Sequence, residues 1–265
     1  MNRQAASSRW GEYRSLLTAA LDAGYAVVSL DDWVSSAAPP GGRCLILRHD
    51  VDQRPAAALK MAEIEGSLGI GSNWYLRWRT AHPRLVAELR ERGMPVGLHY
   101  ETLTRLARQA GRSDADAALI ERARATLREE IETFSDRFGP IRSICAHGDS
   151  RMPGMRNLEL VKGEDVTRYG VVYEGTEVLR GVRLGAWLTD RRAAGCWKDG
   201  VKPHDLLASG VSPIMAVIHP NHWSSRGALG FDRLCSRLLP DPLAGTGWRA
   251  PRVLVCRRSD LPPVT

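Results

Sequence analysis

One short stretch, residues 44–52, constrains the fold of this chain more than any other. It begins with four apolar residues that do not alternate with polar ones, a pattern typical of a strand covered on both faces, as in a parallel sheet. Pro55 and an apolar face over the following turns then indicate a helix. His49, Asp50 and Asp52 are therefore predicted to lie in the loop between a buried parallel strand and a helix, the edge where α/β folds bind ligands. A helix cap would require only one of these carboxylates.

The same alternation of strand and helix patterns continues along the chain. Strand-like runs are predicted at residues 25–30, 70–76, 95–98, 142–146, 171–174, 182–187, 213–218 and 252–256. The longest helix pattern starts near Ser113 and Asp116, which resemble a capping box, and ends at Gly139. Six to eight strand–helix units in about 220 residues favour a closed or nearly closed barrel over an open sheet. The fold class is thus α/β.

A loop rich in Pro and Gly, residues 37–42, divides the chain into two predicted parts. Residues 1–42 form an N-terminal helix–strand extension that packs on the barrel, and residues 43–265 form the barrel itself. The five cysteines are odd in number and contain no CxxC pair, which argues against a disulfide framework and against a thiolate zinc site. Cys44, Cys145 and Cys256 lie in apolar runs and are expected in the core.

The charge balance narrows the class of partner. The net charge is +7, but the basic residues are spread along the chain, so nucleic-acid binding gains little support. An anionic substrate, such as an acidic sugar or a nucleotide-linked sugar, fits the charge as well. No segment has the apolar length of a membrane span or of a leader peptide, so we expect a cytoplasmic protein without a membrane span. The oligomeric state stays open.

Side chains suited to catalysis follow predicted strands and not predicted helices. The set comprises five of the seven histidines and three aspartates: His49, Asp50, Asp52, His99, His147, Asp190, His219 and His222. Because all strands of a parallel barrel point the same way, these residues are expected to meet at one edge. Imidazole and carboxylate together suit Zn²⁺ or a related divalent ion. Such an ion lowers the pKa of a bound water and polarises a carbonyl, while a free carboxylate and a histidine act as base and acid.

The order and spacing of these motifs, over roughly residues 43–223, resemble a divergent branch of the polysaccharide deacetylase superfamily (NodB-like, carbohydrate esterase family 4). The resemblance implies a distorted (β/α)7 barrel of NodB type, a divalent metal with Zn²⁺ as first choice, and removal of N- or O-linked acetyl groups from sugars. In the family's first motif, Thr-Phe-Asp-Asp-Gly, the first Asp is the base and the second is a metal ligand. Here the resemblance implies Asp50 as base and Asp52 as ligand, with Val51 as an inserted departure.

The second motif of the family, His-Ser/Thr-x-x-His, is only half present. His99 matches its first histidine, but Leu103 stands at the place of the second. His147, after the next strand that carries a motif, is the preferred replacement, and Glu101 is the second choice. The metal ligands implied by the resemblance are therefore Asp52, His99 and His147.

The remaining motifs imply roles for residues farther along the chain. Arg151 resembles the third motif, although Gly154 replaces its aromatic residue. Asp190, with Trp197 downstream, resembles the fourth motif, whose Asp helps to orient the site. His219 resembles the last motif, whose histidine protonates the departing group. The implied catalytic set is Asp50, Asp190 and His219, and the implied substrate-binding set is His49, Arg151, Trp197, His222 and Trp223.

The leading interpretation is a metal-dependent carbohydrate deacetylase, with surface-polysaccharide or O-antigen assembly as the expected pathway. A second interpretation is a degenerate barrel that binds carbohydrate without hydrolysing it, favoured by the missing second-motif histidine and by Val51. A third is a different metal-dependent hydrolase, since a fold alone does not set the reaction.

Overall fold

A single parallel sheet forms the centre of the structure. The computed structural model describes residues 4–36, 42–191 and 197–224. Within these ranges the strands are β1 Tyr25–Ser29, β2 Arg43–Val51, β3 Asn73–Leu76, β4 Val96–Tyr100, β5 Ser143–Ala146, β6 Tyr173–Glu174, β7 Ala186–Thr189 and β8 Ile214–Ile218. They pair in the order β6-β5-β4-β3-β2-β8-β7, and β1 pairs with β2. The first barrel strand, β2, thus lies beside both the second, β3, and the last, β8.

Helices connect most of the strands, as a parallel sheet requires. The described helices are α1 Gln4–Asp22, α2 Leu30–Ser35, α3 Pro55–Ser67, α4 Pro83–Glu91, α5 Thr102–Gln109, α6 Ala117–Phe138, α7 Pro203–Ala208 and α8 Pro220–Trp223. The Asp116 side chain caps α6 by accepting from the Leu119 amide, so the helix starts three residues later than the Ser113 signal predicted. None of the helices in this part of the chain is long and apolar enough to cross a membrane.

Contacts across the interior show that the sheet is curled. The Arg48 guanidinium of β2 donates to the carbonyl of Gly175, just after β6, at 3.0 Å. These two strands are four places apart in the sheet, about 19 Å if it were flat. Gly97 and Gly175 leave the space that the Tyr75 ring occupies, since an added Cβ would come within 2.7 Å and 2.9 Å of Tyr75 atoms, respectively. The predicted distorted (β/α)7 barrel is confirmed, with no pairing between β6 and β7 in the described residues.

The prediction that His49 and Asp50 lie in a loop is wrong, because β2 continues through Val51. Its second half pairs with β3, and residues up to His49 pair with β8. Side chains alternate along a strand, so Leu47, His49 and Val51 face the helices. Asp50 faces the barrel interior instead. Polar residues can form the second half of this strand because Arg48 and Asp50 bond each other inside the barrel, and Arg48 also donates to the Gly175 carbonyl.

Other boundaries differ from the prediction by a few residues. The runs predicted at 70–76, 171–174 and 182–187 contribute shorter strands, β3, β6 and β7. Helix α5 was not predicted. Cys44 and Cys145 are buried free thiols, as expected. The predicted strand at 252–256, Cys256 and most of the loop at 37–42 lie outside the described residues, so the division at residue 42 stays a prediction.

The N-terminal helix is joined to the barrel by a buried polar cluster. His49 Nε2 lies 2.7 Å from Glu65 Oε1, and both side chains are fully buried. Tyr13 of α1 donates to the same Glu65 oxygen, and Ser72 donates to the other. The His49 ring also stacks on Trp74, with centroids 4.0 Å apart. Glu65 therefore connects α1, β2 and α3 through one carboxylate.

We expect Glu65→Ala to lower the free energy of unfolding by about 3 kcal/mol, because it leaves buried His49 and Tyr13 without their partner. Chemical denaturation followed by circular dichroism measures this. The control is Glu63→Ala, because Glu63 forms a partly exposed ion pair with Lys60 on the same helix. This variant should change the free energy of unfolding by no more than about 0.5 kcal/mol. Equal losses in the two variants would contradict the structural role of the cluster.

Candidate active site

Three strands bring an Asp and two histidines together at the C-terminal edge of the sheet. Asp52 follows β2, His99 lies in β4 and His147 follows β5. Asp52 Oδ1 lies 3.5 Å from His99 Nε2 and 3.2 Å from His147 Nε2. One ligand atom from each residue lies within 4.8 Å of the others, which is the spacing of a metal site. We call Asp52, His99 and His147 the three-ligand cluster.

The surroundings of these side chains fit a site for a cation. His99 Nδ1 lies 3.0 Å from the Cys145 carbonyl, which can only accept, so Nδ1 carries a proton and Nε2 points toward Asp52. Asp52 Oδ1 is buried and has no hydrogen-bond partner among the described residues. A buried carboxylate oxygen and two imidazole nitrogens therefore face each other, a set of atoms that would suit a divalent cation.

The pKa shifts show how these groups interact. Burial opposes ionisation of Asp52, but the interaction of its carboxylate with the His147 and His99 rings in their protonated form outweighs burial and holds the pKa of this carboxyl well below its ordinary value. Burial lowers the pKa of His147, and the opposing effect of Asp52 does not compensate. An ionised carboxylate and a neutral imidazole are the states in which these groups bind metals.

Glu101 lies beside His147 and outside the three-ligand cluster. Its Oε2 lies 3.7 Å from His147 Nδ1, on the side of the ring opposite the cluster, and it accepts from Arg77. This distance is too long for a hydrogen bond, and His147 Nδ1 has no hydrogen-bond partner among the described residues. Of the two residues considered for the third ligand, the structure brings His147 into the cluster.

Asp50 lies next to the cluster and is held by Arg48. Its two oxygens accept from the Arg48 guanidinium at 2.8 Å and 2.7 Å. Burial favours the neutral acid, but the Arg48 charge outweighs it and lowers the pKa of Asp50. His99 Nε2 is 3.8 Å from Asp50 Oδ2. Asp50 is thus an ionised acceptor in a fixed orientation beside the candidate ligands.

A second group of residues forms on β7 and β8. Asp190 Oδ1 lies 2.7 Å from His219 Nδ1 and 3.3 Å from His222 Nδ1, and Trp223 Nε1 donates to Asp190 Oδ2 at 2.8 Å. Burial of His219 disfavours its cation, but Asp190 outweighs that effect and raises the pKa of His219 to about 9. His219 and His222 together lower the pKa of Asp190 to about 2, against the effect of burial. His219 therefore carries a proton at neutral pH.

Two of the predicted substrate-binding residues lie elsewhere. His49 is fully buried in the cluster around Glu65, because alternation along β2 turns it away from Asp50, and this placement does not suit substrate binding. Arg151 is more than half exposed and pairs with Asp149 at 2.9 Å. Trp197, His222 and Trp223 do line one small cleft beside Asp190, and its volume of about 20 Å³ has room for about one water molecule.

Sequence reasoning missed several residues that complete the site. Arg48 orients Asp50, and a period-two reading of residues 48–52 would have placed both on one face. Arg9 and Glu12 of α1 line the cleft with Trp197, and no local pattern indicates this contact, since Arg9 and His222 are 213 residues apart.

The structure thus defines a parallel α/β barrel with a histidine–carboxylate centre at the C-terminal ends of its strands. No protein-family model matches the sequence, and no curated protein matches it. A search of solved structures finds similarity to a mutant of a CE4 family pseudoenzyme with restored enzymatic activity. The identity is 14%, the match covers 75% of this chain and 63% of that chain, and the TM-score is 0.44. The match therefore spans less than two thirds of that protein.

We expect Asp190→Asn to lower the pKa of His219 from about 9 toward the ordinary value of about 6.5. NMR titration of the histidine rings in metal-free protein measures this. Because the pKa of His219 is raised in the folded protein, its protonation stabilises the fold fully below about pH 6.5, and this stabilisation is lost as the pH rises through about 9. The stability of Asp190→Asn should not fall in this pH range for that reason. An unchanged pKa of His219 in the variant would show that Asp190 does not raise it.

Proposed function

We propose that this protein is a metal-dependent hydrolase that removes an N- or O-linked acetyl group from a sugar. One observation supports it above the others: the three-ligand cluster lies beside an ionised acid, Asp50, and near a protonated histidine, His219. The charges of Asp50 and Asp52 both contribute to the raised pKa of His219, so these three side chains interact electrostatically. A metal site, a base and an acid together form one combination that can hydrolyse an acyl bond.

The candidate ligands fit a divalent ion, with Zn²⁺ as first choice because two imidazoles and one carboxylate match its common catalytic donor set. Asp52, His99 and His147 would hold it. The bound ion would supply a water of lowered pKa and polarise the acyl carbonyl. The Cys145 carbonyl orients the His99 imidazole by a hydrogen bond, and the Glu101 carboxylate lies 3.7 Å behind the His147 imidazole.

Asp50 is the proposed general base. It is ionised, and Arg48 fixes both of its oxygens, so the carboxylate presents a constant geometry to an attacking water. Its lowered pKa limits its strength as a base, and acidification of the attacking water offsets this limit. Val51 between Asp50 and Asp52 has a structural explanation. Its side chain packs in the core between the sheet and the helices, so Asp50, and Asp52 directly after the strand, point to the other side, toward the barrel interior.

His219 is the proposed general acid. Its Nδ1 faces Asp190, which leaves Nε2 to donate a proton to the departing amine or hydroxyl. A pKa of about 9 keeps the proton on the ring at neutral pH. Asp190 is a positioning residue, because it acts on substrate through His219.

Leu103, which replaces the second histidine of the family motif, still favours the second interpretation, a barrel that binds carbohydrate without hydrolysing it. His147 comes from a different strand and occupies the cluster, so the loss of that histidine does not by itself remove a third ligand. A metal content below one ion per chain would favour the binding-only function. Cytoplasmic location and a role in surface-polysaccharide or O-antigen assembly stay predictions.

We expect the purified full-length chain to bind one Zn²⁺, measured by calorimetry and by elemental analysis. His99→Gln and His147→Gln should abolish stoichiometric binding, whereas Glu101→Gln, which removes an outer partner, should weaken it by about 10- to 100-fold. The control is His204→Gln, an exposed residue of α7, which should bind like the parent. Undiminished binding in His99→Gln would overturn the ligand assignment.

We expect Asp50→Asn to lower kcat for acetate release from acetylated sugars by about 10²- to 10⁴-fold while one ion per chain is retained, because only the proton acceptor is lost. Acetate is measured with a coupled assay, and metal content is measured on the same sample. Asp205→Asn, at an exposed position of α7, is the control and should keep full activity. Full activity of Asp50→Asn would assign the base elsewhere.

A further inference from the structure

Three arginine side chains lie beside the three-ligand cluster, and we call them the arginine rim: Arg77, Arg79 and Arg151. The first two belong to the loop after β3, and Arg151 belongs to the loop after β5. Arg79 interacts electrostatically with both of the other arginines and with Asp52 of the cluster. Two loops therefore bring three positive charges to the same part of the site.

Two members of the arginine rim have carboxylate partners. Arg77 donates to Glu101, and Arg151 donates to Asp149 through two side-chain hydrogen bonds of 2.9 Å. Asp149 also faces Arg108, whose Nη1 lies 3.6 Å from Asp149 Oδ2, so two arginines share that one carboxylate. The carboxylates that pair with these arginines therefore do not neutralise all of their positive charge.

Arg79 differs from its neighbours because no carboxylate in residues 4–36, 42–191 and 197–224 pairs with it. Its side chain is exposed, and its guanidinium donates one hydrogen bond, of 3.2 Å, to the backbone carbonyl of Asp52. A guanidinium carries five N–H donors in a planar fork that matches the oxygens of a carboxylate or a phosphate. Most of the donors of Arg79 therefore remain available to a ligand.

The charges deeper in the site do not cancel the excess of positive charge. Asp50 and Asp52 are ionised, but Arg48 neutralises one of these charges, and a divalent ion at the cluster would more than neutralise the other. An anion beside Arg79 would thus meet a net positive field, and it would relieve the repulsion within the arginine rim. The charges favour a negatively charged ligand over a neutral one.

We propose that Arg79 forms a subsite for a negatively charged group of the substrate, a carboxylate or a phosphate, and that Arg151 strengthens its positive field. Because Arg79 contacts the backbone of Asp52, a group bound to it would be a neighbour of an acyl group held at the cluster. The acetylated sugar itself rests on the proposed function, but anion binding at Arg79 does not depend on hydrolysis. The substrate class is then an acidic or phosphorylated sugar.

Isothermal titration calorimetry with three sugars tests the subsite on the full-length, Zn²⁺-loaded chain. N-acetylglucosamine is neutral, N-acetylglucosamine 6-phosphate carries a phosphate, and N-acetylmuramic acid carries a carboxylate. The parent chain should bind at least one charged sugar about tenfold more tightly than the neutral sugar, the usual effect of a hydrogen bond to a charged group. The charged sugar that binds more tightly shows whether the subsite takes a phosphate or a carboxylate.

Arg79→Gln should abolish this preference for a charged sugar. The charge-matched control is Arg14→Gln, which should keep the preference, because Arg14 is an exposed arginine of α1 that donates to Ser67 at the end of α3. Arg151→Gln leaves the contact of Arg79 with Asp52 intact and should reduce the preference by about threefold. It covers the case in which Arg79→Gln fails to fold, and an unchanged preference in Arg151→Gln would then overturn the subsite.

The outcomes separate the subsite from the reaction. Equal binding of the three sugars by the parent chain, or no binding of any of them, would overturn the subsite. A preference that a folded Arg79→Gln retains would also overturn it, since the ion itself would then bind the charged group. A preference that Arg79→Gln loses supports the subsite even if the chain releases no acetate and the proposed function fails. Acetate release with equal kcat/KM for the neutral and charged sugars would leave the proposed function standing without the subsite.

Discussion

The alternation of side chains along β2 is the constraint on which the rest of the site depends. Because successive residues of a strand point to opposite faces, one strand supplies both a buried structural cluster and one edge of the candidate active site. His49 and Val51 enter the layer of helices, while Arg48 and Asp50 enter the barrel. A shift of one residue in the register with β3 would exchange the two faces, burying the carboxylates against apolar side chains. The pairing of β2 with β3 and with β8 therefore determines which side chains reach the candidate active site, as well as the order of the sheet.

The fold could be predicted to a large extent because its signals are local. Apolar runs without alternation indicate buried parallel strands, and Pro and Gly residues mark the helix ends. The meeting of Asp52 with His99 also followed from the sequence, since parallel strands end at one edge. The placement of His49 did not, because four apolar residues mark where β2 begins but not where pairing with its neighbours ends.

Partners from distant parts of the chain could not be predicted. Glu65 accepts from Tyr13 and lies beside His49, yet a Glu in the last turn of a helix is usually a solvent-exposed residue. Arg9 reaches the His222 carbonyl only because α1 crosses the end of β8. Contacts of this kind are set by how the elements pack, and no pattern within either segment records them.

The polar cluster around Glu65 and the candidate active site are connected through one chain of contacts that includes two aromatic rings. Tyr13 bonds Glu65 and packs on Trp223, and Trp223 donates to Asp190, which holds the proton on His219. Each contact is made by a buried or half-buried group, so the position of α1 bears on the orientation of Asp190. The helix that stabilises the barrel thus also helps to set the geometry of the proposed acid. The packing of α1 therefore affects both the stability of the barrel and the geometry of the candidate active site.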